Sequence, residues 1–234
     1  PATARAYEGY KAVQAFKRRQ NTTDDDVIGL LDRSNISVLD ENSNKDAAIV
    51  STQRDLIAGE VSKDIARRKL IPTDILEAHD SGAIHFHDMD YIIQPMFNCC
   101  LINLEDMLTN GTVINGKKID TPKSFQVACT VTTQIIAQVA SGQYGGQSIN
   151  GIDRILAPFV RKSYEKILNN VIEEQVEIYG MEPNMEKARE IAWKRTRKEV
   201  KDGIQTIQYQ INTLMTTNGQ SPFVTLFMYF QPDY

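Results

Sequence analysis

Histidine and cysteine side chains gather in one short stretch of the chain, residues 83–104 (AIHFHDMDYIIQPMFNCCLINL). Two of the three histidines, His85 and His87, and two of the three cysteines, Cys99 and Cys100, lie within it. Imidazoles transfer protons, bind metals and contact oxyanions, whereas thiols act as nucleophiles or in redox and radical chemistry. We therefore expect this stretch to contain the functional site.

The two histidines have the spacing H-x-H, which would place both side chains on one face of a strand. Three interpretations are open: metal ligands, core histidines with satisfied hydrogen bonds, and contacts to a substrate oxyanion or ribose oxygen. A closed zinc site needs four ligands, and Cys99 and Cys100 would point to opposite faces of a strand. At most one cysteine could then join the histidines, so we predict no metal site.

The adjacent cysteines also have more than one interpretation. Both can be small hydrophobic residues of a strand, or one can face a pocket and take part in redox or radical work. Asn98 favours the second interpretation, because a strand amide beside a thiol can position a polar substrate. Cys99 acting as a thiolate nucleophile with a histidine base is a further alternative, and no Ser/His/Asp arrangement is apparent.

The composition narrows the class of protein. With 234 residues, of which 41% are hydrophobic and 24% charged, the chain can bury a sizeable core. A net charge of −4 favours no nucleic-acid partner, and no apolar run is long enough to span a membrane. The start lacks a signal-peptide core and the cysteines form no disulfide framework, which favours the cytoplasm. The missing initiator Met and the apolar end suggest a piece of a longer chain.

The hydrophobic patterns predict strands over both halves of the central stretch, on either side of Pro95, and over 223–230. We expect 96–104 and 223–230 to belong to one sheet with helices packed outside it. Residues 21–47 are polar and are expected to form a loop, whereas the pairs Asn110-Gly111 and Asn115-Gly116 predict a hairpin. Helices are predicted over 2–20, 48–69, from Pro72 to near Gly82, 124–141, 152–178 and 185–215.

Residues 124–152 contain no charged residue and no histidine. Alongside an apolar stripe, uncharged polar residues recur every four positions: Gln126, Thr130, Gln134 and Gln138. Such a face suits a helix–helix interface or a neutral polar ligand surface, and an ordinary buried helix with Gln at its margin is the alternative. The glycine-containing loop 143–148 that follows is a weak signal for phosphate binding.

Six motifs in this order resemble the large subunit of the anaerobic, class III ribonucleoside-triphosphate reductases: HFHDMDY, FNCCLINLEDML, IDTPKS, TQIIAQVASxxYGG, IDRILAPFV and TTNGQSPFVT. The segment STQRDLIAGEV (51–61) fits as well. The resemblance implies the N-terminal part of a ten-stranded α/β barrel, helix-rich, over residues 23–234. Residues 2–20 resemble the last helix of the family's ATP-cone domain, which makes 1–22 a remnant of that domain and a linker.

The resemblance implies a radical enzyme that reduces the ribose 2′ position of ribonucleoside triphosphates. In this family an iron–sulfur S-adenosylmethionine activase installs a glycyl radical, which passes to a cysteine on a central loop. Cys99 resembles the second, strand-borne cysteine that takes part in the reduction, Asn98 its substrate-binding neighbour, and Cys100 the position facing away. His85 and His87 resemble the active-site histidines. The electron donor, formate or a redoxin, stays open.

The family also binds ATP or a deoxynucleotide at a dimer interface to select the substrate base. By resemblance, Asp120, Gln134 and Lys166 fall where the contacts to this effector are. A homodimer is therefore an implied assembly, together with nucleotide effectors and the activase as partners.

The chain departs from the family pattern because it has no glycyl-radical motif, no central-loop cysteine and no C-terminal four-cysteine zinc site. We therefore expect it to bind no cofactor and to be inactive alone. Two alternatives stay open: another glycyl-radical enzyme, of the pyruvate formate-lyase type, and a non-catalytic module for nucleotide binding or dimerisation.

Overall fold

The computed structural model describes residues 5–13, 23–34, 46–180, 182–217 and 219–229. The chain divides into two compact units. The first contains residues Pro1–Met96 and Thr217–Gln220, and the second contains Phe97–Thr216 and Ser221–Tyr234. None of the helices in the described ranges combines the length and the apolar content that a membrane crossing requires.

The first unit is helical. Its helices are α1 (5–13), α2 (Thr23–Leu31), α3 (Val50–Ile65) and α4 (Thr73–Asp80). A π-helical turn, Ala66–Leu70, extends α3, so the predicted helix over 48–69 is confirmed. The predicted helix over 2–20 is observed as α1, and residues 14–20 lie outside the described ranges.

The prediction of a loop over residues 21–47 is wrong for α2. Three aspartates, Asp24, Asp25 and Asp26, occupy the first turn of α2, where they interact favourably with the positive end of the helix dipole. Leu30 is completely buried, and α2 packs against α3. Tertiary burial therefore stabilises a helix in a sequence that is locally polar. Residues 35–45 of the predicted loop lie outside the part of the chain that the structure describes.

The prediction of a strand around His85 and His87 is also wrong. Gly82 follows α4 with a φ of 76°, and the next two N–H groups donate to the carbonyl of Ala78 at 2.9 and 3.2 Å. The chain therefore folds back onto the end of α4 instead of extending beside another strand. Asp88, at a left-handed φ of 55°, then begins a 3₁₀ turn over Met89–Tyr91.

The second unit combines helices with short strands, so the predicted helix-rich α/β class is confirmed at this level. Its elements in chain order are β1 (Cys100–Leu101), α5 (Leu104–Thr109), β2 (Thr112–Ile114), β3 (Lys117–Ile119), α6 (Phe125–Ala140), β4 (Gln147–Ile149), α7 (Ile152–Glu173), α8 (Met185–Thr213) and β5 (Val224–Leu226). A π-helical turn, Glu174–Ile178, extends α7. The three long helices predicted from the sequence are therefore confirmed.

Three of these strands form one parallel sheet in the order β1-β4-β5. Cys100 pairs with Gln147, which pairs in turn with Val224. The strands predicted over 96–104 and 223–230 therefore lie in one sheet, as expected, but each is shorter. A further parallel bridge joins Phe97 to Gln143 upstream of β1.

The predicted hairpin is formed by β2 and β3 and uses only one of the two Asn-Gly pairs. Asn115 and Gly116 connect the strands with φ values of 49° and 72°, the left-handed pair that a tight two-residue turn requires. Asn110 instead caps the C-terminus of α5, and Gly111 follows it at a φ of 81°. The first pair therefore ends a helix.

Helix α6 lies at the centre of the second unit, packed against α7 and α8. Its N-terminal amides receive side-chain acceptors from both neighbours: Phe125 N–H donates to Ser163 Oγ at 2.8 Å and Gln126 N–H to Glu199 Oε1 at 3.1 Å. Ser163 also donates to Glu199 at 2.9 Å. These bonds satisfy the first amides of a helix that begins in the protein interior.

Candidate functional site

One face of the three-stranded sheet is covered by helices. Cys100 and Val224 pack against the hydrophobic core that α6 and α7 help to build. Between them, the buried Gln147 donates from Nε2 to the carbonyl of Ile136 in α6 at 3.1 Å. These three paired residues therefore point toward the helices.

The opposite face is open and carries Cys99. Successive residues of a strand alternate between faces, and Cys99 and Leu101 are exposed on either side of the half-buried Cys100. The neighbouring aromatic residues Phe97, Phe223 and Phe227 are 79%, 62% and 52% exposed. Cys99 is thus the thiol of an apolar sheet face that no described residue of the second unit covers.

Main-chain hydrogen bonds fix Asn98 and Cys99 from both sides. Tyr144 N–H donates to the carbonyl of Phe97 at 3.1 Å, and Cys100 N–H donates to the carbonyl of Gly146 at 3.1 Å. Cys99 Sγ donates to Asn98 Oδ1 at 3.2 Å. The amide and the thiol are therefore held together on a segment whose backbone is tied to its neighbour.

The glycine loop 143–148 provides space for this segment. A Cβ at Gly145 would collide with both oxygens of Asn98, and a Cβ at Gly146 would collide with the ring of Phe223. The N–H groups of Tyr144 and Gln147 donate to the carbonyls of Phe97 and Phe223. Close backbone approach therefore accounts for both glycines, and phosphate binding by this loop stays a prediction.

The two other thiols are in less polar surroundings. Burial, followed by the neighbouring Cys99, raises the pKa of the Cys100 thiol above its ordinary value. Complete burial in α6, followed by the negative charge of Glu199, raises the pKa of Cys129 to about 12. Both therefore stay protonated at neutral pH, as expected for structural cysteines.

The histidines lie in the turn after α4, in the first unit. His85 Nε2 and His87 Nδ1 are 3.1 Å apart, with ring centroids separated by 5.3 Å. Both rings are exposed, and His87 Nε2 lies 3.2 Å from Asp88 Oδ1. The structure thus brings the two predicted residues together, although on a turn.

Sequence reasoning missed His79 as a member of this group. Its ring centroid lies 5.9 Å from that of His85, and its Nδ1 accepts from the N–H of Phe86 at 3.1 Å. The pattern H-x₅-H-x-H across a Gly-containing turn is the sequence signal that could have found it. Within the described ranges, no three His, Cys, Asp or Glu side chains converge as metal ligands.

The first unit also contains a cavity of about 320 Å³ between α3 and residues 90–96. Its wall combines apolar residues with Asp55, Asp90 and the hydroxyl of Ser62. Ser62 is 6% exposed, and its Oγ has no hydrogen-bond partner among the described residues.

The three candidate effector residues lie on different elements of the second unit. Asp120 follows β3, Gln134 lies on α6 and Lys166 on α7, and all three are exposed. No hydrogen bond links one of them to another in the described part of the chain. The uncharged stripe on α6 is divided: Gln126 Nε2 donates to Thr206 of α8 at 3.3 Å, whereas Gln134 is exposed. Helix packing therefore explains Gln126 but not Gln134.

Comparison with known proteins yields one consistent family. Residues 41–234 match the family model described as anaerobic ribonucleoside-triphosphate reductase. The chain is 46% identical to the protein of that name from Escherichia coli over 224 residues, which is 95% of this chain and 30% of that protein. It is 44% identical to the Haemophilus influenzae protein, covering 96% and 31%. The corresponding values for enterobacteria phage T4 are 42%, 88% and 32%. The chain therefore spans about a third of the length of these curated relatives.

Two solved structures have a similar fold. The anaerobic ribonucleotide reductase from Thermotoga maritima in complex with dATP and CTP matches with a TM-score of 0.58 and 14% identity, over 86% of this chain and 30% of that one. The structure of the same enzyme with MES in the active site gives a TM-score of 0.55. At this identity the likeness shows the fold alone.

Proposed function

The chain belongs to the anaerobic ribonucleoside-triphosphate reductase family, and from this premise we propose that the whole protein reduces ribonucleoside triphosphates to 2′-deoxyribonucleoside triphosphates. The observation that carries this proposal is the position of Cys99, an exposed thiol beside an amide on the open face of a parallel sheet. The family match favours this activity over the pyruvate formate-lyase alternative.

Cys99 is proposed to take part in the reduction at the ribose 2′ carbon, where a hydroxyl is replaced by hydrogen. Asn98 would orient the thiol through the bond that it accepts and contact the sugar through its amide N–H groups. Cys100 would only pack, because its side chain faces the helices. Adjacent cysteines thus have different roles because they lie on different faces.

His85 and His87 are proposed to bind the substrate. Both imidazoles are exposed, and a phosphate or ribose oxygen could accept their N–H groups in place of the contact that His85 Nε2 and His87 Nδ1 make with each other at 3.1 Å. Asp88 lies against His87 and can fix which of its nitrogens carries the proton. This assignment is drawn from the family resemblance and from the geometry of the turn.

The remaining chemistry is proposed to reside in other parts of the whole protein. The chain has neither the radical-glycine motif nor the four-cysteine zinc site that the family resemblance implies. The hydrogen atom of the sugar would be taken by a thiyl on a central-loop cysteine, generated from the glycyl radical that an iron–sulfur S-adenosylmethionine activase installs. The residues of this chain would hold the ribose and present the reducing thiol, in a cytoplasm that keeps Cys99 reduced.

Asp120, Gln134 and Lys166 are proposed to contact a nucleotide effector where two copies of the chain meet. Lys166 would meet the phosphates as a point charge, and Asp120 would accept from sugar or base. The exposed Gln134 amide, which helix packing does not occupy, supports a ligand at this position. An effector that touches both subunits could report its identity to the substrate site.

The finer architecture is part of the same proposal. The three parallel strands are proposed to be members of a ten-stranded α/β barrel, with the open face of the sheet directed into it. Helix α1 is proposed to be the last helix of an ATP-cone domain. A non-catalytic module for nucleotide binding or dimerisation is the role that we expect this chain to have when it is separated from the remainder.

The test is an anaerobic assay of the full-length protein after treatment with its activase. A labelled ribonucleoside triphosphate is supplied with formate or with a reduced redoxin, and the product is identified by chromatography and mass spectrometry. We expect the 2′-deoxyribonucleoside triphosphate to form. If the activated protein, with its radical detected by electron paramagnetic resonance, yields no deoxynucleotide with either donor, the proposal is wrong.

A further inference from the structure

The buried histidine of the first unit, His79, has no role in the function proposed so far. It occupies the last turn of α4 and is 7% exposed. Its main-chain carbonyl accepts from Gly82 N–H at 3.0 Å, and its ring nitrogen Nδ1 accepts from Phe86 N–H at 3.1 Å. One residue thus holds the turn after α4 at two points, through its backbone and through its side chain.

The side-chain bond is made at the centre of the histidine pair. Phe86 is the residue between His85 and His87, and its N–H belongs to the peptide bond that joins His85 to Phe86. Fixing this peptide restrains ψ of His85 and φ of Phe86, and with them the direction of the His85 side chain relative to the segment that carries His87. With the peptide held, His85 Nε2 and His87 Nδ1 come within 3.1 Å.

The bond also defines the state of the His79 ring. A main-chain N–H can only donate, so Nδ1 of His79 has to act as the acceptor, which requires that it carries no proton. In the neutral ring the proton is then on Nε2. Burial suits this neutral form, since an imidazolium is costly to remove from water.

We propose that His79 is a positioning residue, which holds the His85–His87 turn in the shape that brings the two imidazoles together for substrate. This inference rests on the proposed role of His85 and His87 in substrate binding. His79 touches the turn and not the substrate, so its loss is expected to weaken binding and leave the chemistry on bound substrate nearly intact.

Three substitutions at position 79 distinguish the role of Nδ1 from that of Nε2. In His79→Asn, the side-chain oxygen can occupy the place of Nδ1 and accept from Phe86. In His79→Gln, the amide reaches the place of Nε2 instead, and His79→Leu fills the volume with no acceptor. Each is made in the full-length protein, and thermal unfolding shows whether the variant is folded.

Two readouts are needed. The first is hydrogen exchange at the Phe86 amide, followed by mass spectrometry on peptides that span the turn. The second is steady-state kinetics with a ribonucleoside triphosphate. We expect exchange and KM each to rise roughly threefold to tenfold in His79→Leu and His79→Gln, with kcat changed less, because one hydrogen bond is lost. His79→Asn should stay close to wild type in both.

Unchanged exchange at Phe86 in His79→Leu and His79→Gln would overturn the inference, as would a His79→Asn variant that behaves like them. If His79→Leu does not fold, His79→Asn and His79→Gln are compared instead. The inference then requires higher exchange at Phe86 and a higher KM in His79→Gln than in His79→Asn. His85→Ala and His87→Ala test the proposed function separately. If neither raises KM, the substrate assignment of these histidines is wrong, and exchange at Phe86 alone then decides whether His79 holds the turn.

Discussion

Cys99 Sγ donates a hydrogen bond to Asn98 Oδ1 at a distance of 3.2 Å, on the open face of the parallel sheet. The two residues are consecutive, and Gly145 leaves room for the acceptor, since a Cβ at position 145 would collide with Asn98 Oδ1. The next residue, Cys100, contacts the helical core instead. Of the two adjacent thiols, Cys99 is therefore the one that is accessible.

Alkylation should therefore distinguish the three cysteines. We expect iodoacetamide at pH 8 to label Cys99 first, Cys100 more slowly, and Cys129 only after unfolding, because the thiolate reacts and burial raises the pKa of the other two. Mass spectrometry of peptides over a time course measures the order. The control is Cys99→Ala, which should lack the fast-reacting site. Labelling of native Cys129 at the rate of Cys99 would contradict the packing described here.

The buried Cys129 predicts how stability changes in alkaline solution. Its thiol has an ordinary pKa of 9.0 in the unfolded chain, whereas in the folded protein the pKa is about 12. Between these values the folded state binds more protons than the unfolded state, so the free energy of unfolding should fall as pH rises. Urea unfolding at intervals between pH 9 and 12 measures this slope. Cys129→Ala, which cannot ionise, should show a shallower slope, and an identical slope would contradict the prediction.

Gly203 should resist substitution although it lies in the middle of a long helix. In an exposed helix Ala is favoured over Gly, but a Cβ at position 203 would come within 2.6 Å of the Phe125 ring and 2.9 Å of Cys129 Sγ. We expect Gly203→Ala to lower the free energy of unfolding by about 1–3 kcal/mol, because α8 would have to move away from α6. Denaturant unfolding measures the change. Gly9→Ala is the matched control: no described residue beyond its own helix turn lies within 4 Å of the added Cβ, and we expect a gain of up to about 1 kcal/mol. If both substitutions change the free energy of unfolding equally, crowding between α8 and α6 is not the cause.

The proposed effector site predicts different losses at two of its residues. Lys166→Ala should cost more affinity, because it removes a charge from the phosphates, whereas Gln134→Ala should change the preference among bases. Calorimetric titration of the full-length protein with ATP and deoxynucleoside triphosphates measures both. Lys162→Ala, on the same helix, is a suitable control, since Lys162 already lies 3.4 Å from the carbonyl of Pro122. If both variants keep the affinity and the base preference of the wild type, Gln134 and Lys166 are ordinary surface residues of their helices.

Local signals in the sequence were sufficient for the long helices. Helix α6 begins after Ser124, whose side chain accepts from Val127 N–H at 3.3 Å, and its apolar spacing matches its buried face. The Asn115-Gly116 turn likewise follows from two residues that tolerate a positive φ. In these cases the physical cause lies within a few residues of its effect.

Contacts between distant residues could not be anticipated from the sequence. Glu199 caps α6 from a position 73 residues further along the chain, and nothing near Gln126 signals it. Gly203 is a weak point by helix propensity, and only the packing of α8 on α6 shows why it is needed. Around His85, alternating apolar and polar residues predicted a strand, but the chain forms the turn that ends α4 instead.

The roles of the site residues came from the family resemblance and remain predictions. The structure adds the reason why adjacent cysteines differ: Cys100 pairs with the inward-facing Gln147, so Cys99 has to face the open side. From the sequence, strand alternation predicts that the two thiols face opposite sides, and the choice of Cys99 was drawn from the family resemblance. The register of the sheet supplies the physical reason for that choice.

The most direct test compares Cys99→Ala with Cys100→Ala in the activated full-length protein, measuring deoxynucleotide formation together with thermal unfolding. We predict that Cys99→Ala abolishes nucleotide reduction while the protein stays folded. Cys100→Ala should keep turnover and lose stability on the order of 1 kcal/mol or somewhat more, because a half-buried side chain is truncated. If both folded variants lose turnover equally, or if Cys99→Ala still reduces nucleotides, the assignment of Cys99 as the reducing thiol is contradicted.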